Sequence, residues 1–240
     1  MKIGLFGYGT MGRMIDSLAR DRGHEVVARV DGPSDKVPFD RMEVALDFSQ
    51  PEAAPENIIR CLRNGVPVVS GTTGWLERFG EVTALCESLG GAFLYASNFS
   101  LGMNLFFELN ATLARLMTAA PGYRASMTEI HHTRKLDAPS GTAISLAEGI
   151  IAQGGYHAWQ SDQGGEGVIP IRSERIGDTP GTHRVAYDSP VDRIEIQHTA
   201  HTREGFALGA LLAAEWLVGK NGVFGMRDVL NLPGDREPDR

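Results

Sequence analysis

The stretch Glu129-Ile130-His131-His132-Thr133-Arg134-Lys135-Leu136-Asp137-Ala138-Pro139-Ser140-Gly141-Thr142-Ala143 gathers groups that can do chemistry. An imidazole titrates near neutral pH, so His131 is a candidate proton donor. Lys135 carries a positive charge that neutralises a carboxylate or stabilises developing negative charge. Ser140-Gly141-Thr142 precedes an apolar-faced run, Ala143–Gln153, that reads as a helix. The first N–H groups of a helix and its dipole hold anions, and Gly141 lets a ligand oxygen approach the backbone. A lone histidine here would read as an ordinary hydrogen-bonded residue. Two histidines, a lysine and an anion-ready helix start together point to an enzyme acting on a carboxylate-bearing substrate.

A second set of residues lies at the N-terminus. Gly7-Tyr8-Gly9-Thr10-Met11-Gly12 follows an apolar run, Lys2–Phe6, and opens a segment of helical spacing with Met14, Ile15 and Leu18 on one face. Gly7 allows a tight turn, Gly9 lets a pyrophosphate approach the backbone, and Gly12 lets the helix pack on the strand. Asp31 stands nineteen residues after Gly12, where an acid meets the adenosine ribose hydroxyls. Gly71-Thr72-Thr73-Gly74 and Asn98-Phe99-Ser100 each follow a predicted strand. Residues at the carboxyl ends of parallel strands face the ligand crevice. The plainer reading of the first of these loops is a helix N-cap at Thr73.

The elements that must position these residues change character along the chain. Up to residue 100, short apolar strands alternate with helices: strands at Lys2–Phe6, Glu25–Val30, Val44–Phe48, Pro67–Ser70 and Ala92–Ala96, helices at Met11–Arg22, Pro51–Arg63 and Trp75–Leu89. That alternation predicts a doubly wound parallel sheet. Beyond it, Leu101–Met117 reads as a long helix, Ala125–Ile130 as a strand and Gln153–Gly167 as a Gly-rich loop. Strands follow at Val168–Arg175, His183–Tyr187 and Arg193–Thr199 with no helices between them, which predicts an antiparallel or mixed sheet. Their apolar positions Val168, Ile169, Ile171, Val185, Ile194 and Ile196 are many for a face open to water, so a second copy is expected to cover them. Phe206–Val218 is a final apolar helix.

The chain has 240 residues, 42% of them hydrophobic and 22% charged, and a net charge of −7. With no long basic run, nucleic acid is not an expected partner. No apolar run reaches the length of a membrane span, and no targeting segment is read at the N-terminus. Cys61 and Cys86 lie in helical patterns and read as buried thiols of a cytoplasmic protein. No Cys or His pair has zinc spacing supported by a second pair, so no metal is expected. His157, His183, His198 and His201 are scattered and read as hydrogen-bonded strand or loop residues; Arg203 is a candidate anion contact.

Taken together, these motifs resemble the dihydrodipicolinate reductase family over the whole chain. The pattern Glu-x-His-His-x-x-Lys-x-Asp-x-Pro-Ser-Gly-Thr-Ala runs unbroken through Glu129–Ala143, and Gly71–Gly74, Asn98-Phe99-Ser100-x-Gly102, Arg203-x-x-Phe206-Ala207-x-Gly209-Ala210 and Gly225–Leu230 match as well. The resemblance implies an α/β fold: a Rossmann-type doubly wound parallel sheet with an inserted α+β substrate domain carrying a mixed sheet. It implies a dinucleotide-binding domain over residues 1–101, a substrate-binding and oligomerisation domain over 102–203, and a C-terminal helix and tail, 204–240, returning to the first. Hinges are expected near Ser97–Leu101 and Thr202–Gly205. The implied reaction is reduction of 4-hydroxy-tetrahydrodipicolinate by NADH or NADPH, in diaminopimelate and lysine biosynthesis.

By the same resemblance, His131 and Lys135 are catalytic, and His132, Ser140, Gly141 and Thr142 bind the dicarboxylate substrate. Gly7, Gly9, Met11, Gly12, Asp31, Gly71, Thr73, Ser97 and Phe99 bind the cofactor, and the assembly is a homotetramer. Two departures stand out. Ser97 replaces a frequent proline, and the connection from Asp31 to Val44 is short, which leaves NADH against NADPH open: Asp31 favours the ribose diol, while Arg13 or Lys36 would pair a 2′-phosphate. Two other readings carry over from the residues alone: another dehydrogenase of the same architecture, or a non-catalytic dinucleotide-binding redox sensor. The second would not need His131 and Lys135.

Overall fold

The computed structural model describes residues 1–32, 36–120 and 122–232. Two compact units emerge: Met1–Leu101 with the residues from Glu204 onward, and Gly102–Arg203. The tail from residue 233, expected to return to the first unit, lies outside the described residues, as do Pro33, Ser34 and Asp35 in the short connection after Asp31.

The first unit is built on six parallel strands: β1 (Lys2–Phe6), β2 (Glu25–Val30), β3 (Val44–Asp47), β4 (Val68–Ser70), β5 (Ala92–Tyr95) and β11 (Gly222–Phe224). Their order, β11-β5-β4-β3-β1-β2, reverses at β1, which makes the carboxyl ends of β1 and β3 the topological switch point. The strands are near-continuously apolar because both faces are covered. On one side α1 (Thr10–Asp21) and α6 (Glu204–Leu217) bury Ile15, Ala19, Ala207, Ala210, Leu211 and Ala214 against Ile3, Leu5 and Leu46. On the other, α2 (Ala54–Arg63) and α3 (Phe79–Ser88) bury Ile58, Leu62, Val82 and Cys86 against Phe6, Ala45 and Val68. The short α7 (Met226–Val229) adds Met226 to the first of these layers.

The second unit holds α4 (Leu101–Met117, entering from the first unit), β6 (Arg124–His131), α5 (Gly141–Ala152), β7 (Ala158–Ser161), β8 (Val168–Arg175), β9 (Gly181–Asp188) and β10 (Arg193–Ala200). The sheet order is β10-β9-β6-β8-β7. It is mixed: β6 pairs parallel with β8 and antiparallel with β9. β7 falls inside the stretch expected to be loop; it is a short edge strand whose last two residues, Gln160 and Ser161, are exposed.

The expectation of an apolar open face is not met. Ile169, Ile171 and Val185 are fully buried with Met103, Phe106, Leu146 and Ile150 of α4 and α5, and Ile196 packs on that cluster. Ile194 pairs with Tyr187 on the same side. Side chains alternate along a strand, so only Val168 of the six falls on the other face. That face is a polar ladder carrying the pairs Arg184–Glu195 (3.1 Å), Arg193–Asp188 (3.3 Å) and Arg172–Glu174 (3.1 Å).

Candidate active site

In the first unit, backbone hydrogen bonds Gly7 N–H to Val30 O (2.8 Å), Phe48 N–H to Phe6 O (2.8 Å) and Gly71 N–H to Asp47 O (2.9 Å) draw three loops together at the switch point. The glycine loop is packed to its limit at two positions. Gly7 has φ +88°, and a Cβ there would stand 2.1 Å from Phe48 O; a Cβ at Gly12 would stand 2.2 Å from Gly7 O. Gly9 differs: a Cβ would meet nothing within 4 Å. Gly9 is also the residue before α1, with no side-chain cap, so open space lies where an anion would meet the helix start. Asp31 Oδ1 accepts the Tyr8 N–H at 3.0 Å, tying the end of β2 to this loop. Arg13 Nε donates to Tyr8 O at 3.2 Å.

Beside it, Asp47 is fully buried and collects four donors: Ser49 Oγ (2.7 Å), Asn57 Nδ2 (3.3 Å), Ser70 Oγ (3.0 Å) and Thr72 Oγ1 (2.7 Å). Burial pushes its carboxyl up, and these hydrogen bonds work against that rise. Thr72 is thus spent on holding the loop, while Thr73 is exposed. Thr73 caps no helix: a turn of 3-10 helix, Leu76–Arg78, precedes α3, and neither has a side-chain cap. A Cβ at Gly71 would strike the Phe48 ring at 2.2 Å, and Phe48 lies 5.6 Å from the Phe99 ring. Phe99 is in turn seated against α6, where a Cβ at Gly209 would fall 1.7 Å from Phe99 O. Ser97 is exposed.

In the second unit, the Glu129–Ala143 segment is the end of β6, a loop and the start of α5. Ser140 caps α5: its Oγ accepts the Ala143 N–H at 3.2 Å. The N–H groups of Gly141 and Thr142 belong to the first helical turn, which has no acceptors within the helix, and a Cβ on Gly141 would meet open space. Lys135 Nζ reaches Asp137 Oδ1 and Oδ2 at 2.7 and 2.8 Å, so its charge is not bare; the lysine holds the Asp137 carboxyl below its ordinary value. His132 Nε2 is 3.3 Å from Arg203 Nη2. Partial burial, then the Arg134 and Arg203 charges, lower the His132 pKa.

His131 sits at the end of β6, 8% exposed, with Nδ1 2.6 Å from Glu129 Oε2. That is ion-pair distance for a protonated ring, and the two atoms are not aligned as a hydrogen bond. Glu129 is wholly buried. Its Oε1 accepts from Arg175 Nη2 (3.0 Å) and the Ser140 N–H (3.3 Å). Burial alone would raise its pKa, but His131, Ser140, Ser173 and Arg175 overturn that and hold it well below the usual carboxylate range. His183 stands edge-on to His131 at 5.1 Å between ring centroids, with Nε2 3.3 Å from Ser140 Oγ. Burial, reinforced by His131, pushes His183 down to about 4.

Sequence reasoning passed over Arg175, read His183 only as a hydrogen-bonded strand or loop residue, and gave Glu129 no role; His183 is such a residue, in β9 and bonded to Ser140, but it also faces His131. Glu129, His131 and His183 bring ligand-type atoms within 4.8 Å of one another. The Arg175 guanidinium on the same carboxylate puts a positive charge beside that trio and opposes a cation there.

Two family models cover nearly the entire chain: the N-terminal part of dihydrodipicolinate reductase matches residues 1–99 and its C-terminal part residues 102–230. The chain belongs to the dihydrodipicolinate reductase family. A 4-hydroxy-tetrahydrodipicolinate reductase of Christiangramia forsetii is 48% identical over 234 residues, 96% of this chain and 98% of the relative. One from Chromobacterium violaceum is 39% identical, covering 81% of this chain and 75% of that one. Among solved structures, the dipicolinate-bound dihydrodipicolinate reductase of Paenisporosarcina sp. TG-14 superposes with a TM-score of 0.76 at 22% identity, over 97% of this chain and 99% of that one. At that identity it supports the fold.

Proposed function

We infer that this protein reduces 4-hydroxy-tetrahydrodipicolinate to tetrahydrodipicolinate with NADH or NADPH, a step of diaminopimelate and lysine biosynthesis. The observation that carries this reading is the unbroken Glu129–Ala143 segment, folded so that His131, Lys135 and the α5 start share one end of one unit, in a chain that the family covers almost completely. The reduced nicotinamide, when bound, supplies the hydride.

The residues of this chain do the rest. Gly7, Gly9, Met11, Gly12 and Asp31 hold the dinucleotide at the switch point, and Gly71, Thr73, Ser97 and Phe99 border its nicotinamide end. His131 gives a proton to the atom left electron-rich by hydride addition. Lys135 exchanges Asp137 for a substrate carboxylate. Ser140, Gly141 and Thr142 take a carboxylate at the α5 start, where N–H groups and the helix dipole favour it, and His132 with Arg203 flanks it. The protein works in the cytoplasm as a homotetramer.

Activity coupled to the preceding synthase tests this. His131→Gln lowers kcat by ~10²–10⁴-fold, the range of general acid catalysis, and Lys135→Ala lowers kcat/KM with nicotinamide affinity little changed. Near wild-type kcat/KM in both variants would sink the assignment. Dipicolinate, which the Paenisporosarcina protein binds, competes with substrate here; loss of that competition in Lys135→Ala locates it at this loop.

A further inference from the structure

We propose that Glu129 is the positioning residue of His131: its carboxylate requires the proton of the neutral ring on Nδ1, which makes Nε2 the atom that releases the catalytic proton beside the bare backbone of Gly181. The proposal rests on the reading of His131 as proton donor and adds the group that acts through it.

The geometry begins in the strand. Glu129 and His131 are two residues apart on β6 and so point to the same face. Nδ1 and Oε2 are 2.6 Å apart. Even without hydrogen-bond alignment, an unprotonated Nδ1 at that distance would bring a ring lone pair up to a carboxylate oxygen, and that repulsion puts the hydrogen of the neutral ring on Nδ1. The carboxylate cannot swing away. Its other oxygen is held by Arg175 Nη2 and the Ser140 N–H, and Arg175 is itself fixed by Asp137 O (2.6 Å) and Glu174 O (2.8 Å). Nε2 faces Gly181, where a Cβ would stand 3.2 Å away. A side chain at that position would press on the donor atom.

The groups around the pair come from every neighbouring element. β8 presents Arg175 and Ser173, β9 presents His183, and β10 presents His198, whose pKa burial lowers. The loop and α5 present Lys135, Asp137 and Ser140, and α4 packs with Met103 and Phe106. Arg175 and Lys135 are each bound to a carboxylate, and His183 is held towards its neutral form. Glu129 is therefore the charge in contact with the ring. As Nε2–H breaks and the proton bonds to the electron pair left by hydride addition, the ring goes from imidazolium to its Nδ1–H form, and the carboxylate stays ionised throughout.

The test joins a tautomer measurement to a pH profile. In wild-type protein, ¹⁵N spectra, with the His131 signals assigned by their loss in His131→Gln, show the neutral ring protonated at Nδ1; an Nε2–H tautomer overturns the proposal without any variant at Glu129. Glu129→Gln lowers kcat by roughly 10–100-fold, the size seen for carboxylates that orient metal-bound histidines, with a smaller change in KM. It also moves the alkaline limb of kcat/KM to lower pH, because removing the opposite charge disfavours the protonated ring. Glu129→Asp keeps the limb near its wild-type position. A folded Glu129→Gln protein with unmoved limb and kcat within about twofold of wild type overturns the proposal. Full activity in His131→Gln instead removes the donor reading, and the tautomer result stands apart from it.

Discussion

Gly9 and Gly12 lie in one six-residue motif under opposite constraints. A Cβ at Gly12 collides with Gly7 O, whereas one at Gly9 enters space free of protein atoms. Gly12→Ala is therefore expected to destabilise the first unit by ~1–3 kcal/mol, the cost of overpacking. Gly9→Ala should leave the melting temperature almost unchanged and raise KM for NADH and NADPH. Thermal melts and cofactor titrations of both variants separate the two effects, and a Gly9 variant with wild-type cofactor KM would place the pyrophosphate elsewhere. Asp31, bonded to the Tyr8 N–H, repels a 2′-phosphate and accepts from a ribose diol. Asp31→Ser should shift the kcat/KM ratio towards NADPH; an unchanged ratio means Asp31 does not reach the ribose. Features set by local chain geometry were legible in the sequence: the glycine turn between β1 and α1, and a helix beginning beside Ser140-Gly141-Thr142. His183 and Arg175 were not, because they meet Glu129 and His131 only through the pairing of β9 and β8 with β6. A signal for Glu129 was present in the two-residue spacing of a strand.

The elements of the first unit are joined by a buried carboxylate. Asp16 of α1 is 1% exposed and takes Arg20 of the same helix (2.7 Å), Arg29 of β2 (2.8 Å) and the Tyr8 hydroxyl of the glycine loop. Burial works to raise its pKa, and these three partners more than offset it, leaving the carboxyl far below its ordinary value. A depressed carboxylate adds stability above its unfolded pKa, near 4, and loses that contribution as pH falls towards the folded value. Asp16→Asn should accordingly lower unfolding free energy at pH 7, with the gap from wild type narrowing below about pH 4. Urea titrations across that range decide it; a gap independent of pH would mean that charge is not what Asp16 contributes. A long run without proline, and without glycine after Gly102, made α4 legible to its last residue. β7 and β11 were not: they are short, β7 runs into exposed polar residues, and their places follow from pairing with β8 and β5.

For the whole molecule, the proposed homotetramer needs a partner for the open face of the second sheet, and that face is polar. Scattering mass of the purified protein should give four copies, and the assembly should loosen as salt rises, since charged pairs and not apolar burial line the ladder. A fully active monomer would refute the tetramer. The order of the chain carries a different consequence. The first unit is discontinuous: α6, which covers one face of its sheet, follows the entire second unit. During synthesis, residues 1–101 leave the ribosome with Ile15, Leu5 and Leu46 facing no α6, and about a hundred more residues must emerge before cover arrives. Domains fold as units once complete, so the unit made second is the first able to close. A nascent chain halted after Arg203 should resist protease across Gly102–Arg203 while remaining open to cleavage in its N-terminal hundred residues.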